Sequence, residues 1–92
     1  MPFRKLAGFN KNGTVWVAPE LPKRIQVRIY RHEKTFQRKR LQGQTRAEAI
    51  EAALKAEHRG LTKHERILYD LKVARLTKKL PVRVSYSSAR KN

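Results

Sequence analysis

Hydrophobic positions change their spacing along this chain, and the changes mark out its elements. Thr14-Val15-Trp16-Val17-Ala18 is a short β-branched and aromatic run, which predicts a first strand ended by Pro19 and Pro22. From Arg24 to Arg31 the residues alternate. Ile25, Val27 and Ile29 fall on one side of a two-residue repeat, and Gln26, Arg28 and Tyr30 fall on the other. That alternation predicts an amphipathic second strand. His32-Glu33 is then the turn, tight or part of a longer loop, although it lacks the Gly or Asn that a primed two-residue turn prefers. Lys34 to Leu41 is the third strand. Strict alternation there sets Arg38 and Arg40 beside Phe36 and turns Leu41 away. Either a bulge restores the phase or Arg38 snorkels past the edge of the core.

Beyond Gly43 the period lengthens to that of a helix. Thr45-Arg46-Ala47-Glu48 is a capping box, and the helix it starts runs to about Arg59, with Gly60 as its stop. Ala49, Ile50, Ala53 and Leu54 recur on it at helical spacing. Thr62-Lys63-His64-Glu65 is a second capping box, and its helix lasts to Lys79 or Leu80, before Pro81. This second helix has two apolar lines, one through His64, Ile67, Leu68 and Leu71, the other through Tyr69, Val73, Leu76 and Leu80. One line packs on the domain; the second, Tyr69, Val73, Leu76 and Leu80, is a candidate seam for a homodimer or a partner protein or a seat for the tail, with a core role the commoner use of such a stripe. Val82 to Tyr86 reads as a short strand or the start of a basic tail. The expected architecture is α+β: a three-stranded antiparallel sheet packed on one helix, followed by a second C-terminal helix and a basic tail. Residues 1–13 form an N-terminal arm, with Phe3, Leu6 and Phe9 either packed or loose; 14–80 form a single domain, and 81–92 form the tail.

Charge sharpens this picture. The 92 residues carry a net +16. Nine Lys/Arg against Glu33 alone give residues 23–46 a charge of +8, and seven Lys/Arg with no acid give residues 72–92 a charge of +7. The helical middle, 47–71, has four bases and five acids and is close to neutral. Segregation of this kind fits a surface that faces phosphates. The chain has no cysteine, so thiolate metal sites and disulfides are excluded. No apolar run approaches the ~20 residues of a membrane span, and the opening MPFRKLAGFN has no secretory core. A cytoplasmic, nucleoid-associated location is therefore expected, with no membrane partner. His32, His58 and His64 do not have metal-ligand spacing, and Glu48, Glu51, Glu57, Glu65 and Asp70 are accounted for by caps and helix-surface pairs. No enzyme activity, metal or cofactor is expected.

On the polar side of the predicted sheet, Gln26 and Arg28 are of the types that pair with adenine and guanine edges, and Tyr30 can touch sugar or a thymine methyl. Gln37 and Lys39 come from the neighbouring strand. An alternating basic strand (RIQVRIYR), a basic third strand (KTFQRKRL) and a Thr-x-x-Glu-Ala step into an Ala-rich helix (TRAEAIEAAL) together resemble two related DNA-binding domains. One is the three-stranded-sheet-plus-helix domain of plant ethylene-response-type transcription factors. The other is the arm-site-binding domain of phage and transposon tyrosine integrases. The resemblance covers about residues 13–59. It implies that the sheet enters the major groove of double-stranded DNA, with Gln26, Arg28, Tyr30, Gln37 and Lys39 toward the bases and Arg24, Lys34 and Arg40 on phosphates. It further implies a stand-alone phage, plasmid or bacterial regulator or accessory factor. RNA or ribosome binding is the alternative partner reading, and a phage-type inhibitor docking on an acidic host protein is the other.

Overall fold

A computed structural model describes residues 3–4, 6–11 and 13–84 of the chain. Two short strand pairs and three helices make up the fold. β1 (Phe3–Arg4) pairs antiparallel with β4 (Arg83–Val84). β2 (Gly8–Lys11) and β3 (Thr14–Val17) form a hairpin in which Gly8 faces Val17 and Phe9 faces Trp16. The Phe9 and Trp16 rings stack with centroids 5.2 Å apart. Then follow α1 (Lys23–Leu41), α2 (Arg46–Glu57) and α3 (Lys63–Lys78). The last residues of the expected tail, 85–92, lie outside the described residues.

The second and third strands of the expected sheet are replaced by α1, one helix of 19 residues. The three-stranded sheet packed on one helix is thereby overturned. The chain from Lys23 to Leu41 explains why. It contains no Gly, Pro or Asn, and its Lys, Arg, Gln and Glu are good helix formers. His32-Glu33 carries no turn chemistry and simply continues the helix. Arg38, Lys39 and Arg40 occupy the last turn, where the helix dipole favours cations. The stop is a Schellman closure: Gly43 N–H donates to the Arg40 carbonyl at 3.0 Å and Gln44 N–H to the Lys39 carbonyl at 3.1 Å, with Gly43 at φ 90°. No bulge is needed near Arg38, because the helix turns Arg38 to a different side from Phe36.

α1 is the axis of the molecule. Ile25 and Ile29, four residues apart, point into a core with Ala18, Leu21 and Leu80. Val27, which shares their side in a strand, is 47% exposed, against 5% for Ile25 and 4% for Ile29. The hairpin covers this side of α1 so closely that a Cβ on Gly8 would stand 2.8 Å from the Ile29 Cγ2. α2 packs along another side through Ala49 and Ala53, both fully buried. Both capping boxes form, Thr45 with Glu48 and Thr62 with Glu65. On α3 the line Tyr69, Val73, Leu76, continued by Leu80 just past its end, is the one laid on the core. Of the four residues expected at a partner seam, Leu80 is buried in the core and Tyr69, Val73 and Leu76 are partly buried against it. The outward line is the other one, with Ile67, Leu68 and Leu71 all more than half exposed.

Helical and strand geometry make different predictions for neighbouring apolar residues. Ile29→Ala should cost about 2–4 kcal/mol of stability, and Val27→Ala less than about 0.5 kcal/mol, as read by thermal or denaturant unfolding. Equal losses at the two positions would restore the strand.

Candidate functional site

Small side chains on α2 create the site. Ala49 and Ala53 let α2 close onto α1 around Thr35, which is itself buried. Beside that seam a groove of about 470 Å³ opens, with Thr35, Ala52 and Ala56 along its length. Its walls carry Arg31, Arg38 and Lys39 from α1, Lys55 from α2 and Arg59 just beyond α2. Among the described residues no carboxylate lies within ion-pair distance of any of these five cations. Arg31 and Arg38 are aligned because they share helical spacing with Arg24 and Arg28 along one side of α1. At 1.5 Å per residue that stripe is about 20 Å long.

A polar network fixes the relative positions of these walls. Glu57, in the last turn of α2, is the buried acid of the described residues. Its Oε1 lies 2.8 Å from Nδ1 of His32 on α1. Its Oε2 accepts from the Tyr69 hydroxyl of α3 at 2.8 Å. Arg28 closes the end of α2: its Nη1 donates to the Glu57 carbonyl at 2.9 Å and to the Arg59 carbonyl at 2.8 Å. These are carbonyls a helix end leaves without partners, and a cation suits that pole of the dipole. The Arg28 guanidinium also stands 5.8 Å over the Tyr69 ring. Next to it, His58 Nε2 lies 2.7 Å from Asp70 Oδ1, and the His58 ring meets Tyr69 edge-on.

The eight residues expected on one sheet face are distributed round a helix instead. Arg24, Arg28 and Lys39 belong to the cationic side. Gln26 is turned away and donates to the Pro19 and Leu21 carbonyls at 3.2 and 2.7 Å, bracing the loop before α1. Tyr30 is half-exposed beside Val27 and Val17. Lys34 is exposed, one helical turn from both Arg31 and Arg38. Gln37 reaches toward Gly13 of the hairpin; nine residues from Arg28, it is half a helical turn away in direction. Arg40 donates to the Gln44 carbonyl at 3.0 Å and secures the α1–α2 connection. Arg31, Arg38, Lys55 and Arg59 were not singled out by the strand pattern. The spacing of the arginines at 24, 28, 31 and 38 was the signal that could have found the first two, once read with a period of 3.6.

No protein-family model, curated protein or solved structure matches this chain. Among the described residues no helix is long and apolar enough to cross a membrane. Among them too, no group of three or more His, Asp or Glu side chains is placed to hold a metal ion.

The hydrogen bond His32 gives to the Glu57 carboxylate holds its pKa above the ordinary 6.5, against the opposing effect of burial. Burial pushes Glu57 up, but the bonds from His32 and Tyr69 and the nearby His charges outweigh it, so the carboxyl sits below its ordinary 4.5. Burial and the bond to Glu57 keep the Tyr69 phenol protonated, far above 10.0. His32 thus stabilises the fold fully below pH 6.5 and loses that contribution as pH rises through its raised value; Glu57 stabilises it above pH 4.5 and loses that as pH falls through its lowered value. Glu57→Gln should cost about 3 kcal/mol. The Tm difference between parent and variant should be largest between pH 4.5 and 6.5 and shrink on either side. A gap that widens at alkaline pH in thermal melts would contradict the assignment.

Proposed function

We propose that this protein binds nucleic acid through the phosphate backbone, using the groove between α1 and α2. The observation that carries the reading is that Arg31, Arg38, Lys39, Lys55 and Arg59 line one groove with no acid within ion-pair distance among the described residues. A net charge of +16 on 92 residues adds a long-range attraction to any polyanion. The groove floor is Thr35 and alanines, so a backbone phosphate can approach both helices. Contacts of this kind position a protein on a duplex without reading its bases. Duplex DNA and duplex RNA both offer the required row of phosphates, and the major-groove sheet plays no part.

The test is binding to short labelled DNA and RNA duplexes by fluorescence anisotropy across a range of salt. Five phosphate contacts give a slope of log K against log salt of about −4 to −5 on B-DNA. Replacing Arg38 and Arg59 together with alanine should flatten the slope by about 2 and weaken every sequence alike. Salt-independent affinity, or a slope left unchanged in the Arg38 and Arg59 double variant, would defeat the proposal.

A further inference from the structure

A second cleft, of about 540 Å³, opens at the other end of the arginine stripe, between the start of α1 and α3. Its chemistry differs from that of the groove. Ile25, Leu61 and the Tyr69 ring supply apolar surface. Lys23, Arg24 and Lys72, all exposed, stand at its rim. Arg28 joins the two places: its guanidinium lines this cleft, lies over Tyr69 and is tied to the carbonyl of Arg59, whose side chain lines the groove. The cleft volume is that of a small-molecule site. Apolar walls with a cationic rim fit a ligand that has a flat, weakly polar body next to a negative charge. An aromatic and guanidinium surface of this type is where unstacked bases rest.

We propose that this cleft receives one unpaired nucleotide of the bound nucleic acid, its base against Leu61 and the Arg28–Tyr69 pair and its phosphate on Lys23, Arg24 and Lys72. The inference rests on the nucleic-acid reading above, and it adds a preference: duplexes with a single unpaired nucleotide over fully paired ones. A base held in a paired stack cannot enter a pocket, whereas an unpaired one is already free to do so.

The experiment compares labelled duplexes, each as a fully paired form and as the same form with one bulged guanosine, in DNA and in RNA. The bulged form should bind at least about five-fold tighter, as expected for one base gaining a stacking surface. Lys72→Glu and Leu61→Ala, each checked for folding by circular dichroism melting, should bring the bulged-to-paired ratio close to one. Equal binding of bulged and paired duplexes by the parent would overturn this inference and leave the groove reading standing. A ratio that survives both variants would also overturn it, because the preference would then arise elsewhere. Failure to bind any duplex would remove both proposals. Preference in only one of the two nucleic acids would assign the cleft to that one.

Discussion

One buried carboxylate holds three helices to a common geometry. Glu57 accepts from Tyr69 and pairs with His32, so α1, α2 and α3 meet at a single side chain. A charge in such a place is costly unless every lone pair has a partner, and here the partners come from different elements. Moving any of the three helices would leave the carboxylate unsatisfied. The adjoining Arg28 repeats the arrangement with the opposite charge, giving its donors to the carbonyl end of α2 and its flat face to Tyr69. The apolar core is small: Ala18, Leu21, Ile25, Ile29 and Leu80 are its fully buried members. In a domain with so little apolar surface to spare, polar contacts carry the orientation that a larger core would otherwise set.

That orientation has an electrostatic consequence. The cations of α1 and those of α2 repel one another, and the alanine seam nevertheless brings them to opposite sides of one groove. Two of the ion pairs involve histidines, His32 with Glu57 and His58 with Asp70. Four of the five acids of the helical middle are taken up elsewhere, Glu48 and Glu65 in capping boxes, Glu57 in this network and Asp70 on His58. Positive charge is thus concentrated by the same packing that makes the fold.

The outward line of α3 stands apart from this design. Ile67, Leu68 and Leu71 are exposed on it, while the line expected to meet a partner is laid on the core. On the inward line the Tyr69 hydroxyl reaches Glu57, and Val73, Leu76 and Leu80 join it against the core.

By itself the sequence determined the helix boundaries that have their own local chemistry. The capping boxes at Thr45 and Thr62 begin α2 and α3 because their hydrogen bonds close within four residues. The strand at Thr14–Val17 and the segregation of charge were legible in the same way. The stretch from Lys23 to Leu41 was legible in principle and misread. Ile25 and Ile29 are four apart, so they share a side in a strand and in a helix alike. Val27 alone distinguishes the two, and a β-branched residue there favoured the wrong one. The missing turn chemistry at His32-Glu33 and the Gly43 stop were the stronger signals. Only the tertiary structure decided which arginines share a surface, which line of α3 is buried, and that Glu57, His32 and Tyr69 meet. Those contacts join residues 25 and 12 positions apart in sequence, and their geometry depends on how close the alanines let two helices come, which no local pattern encodes.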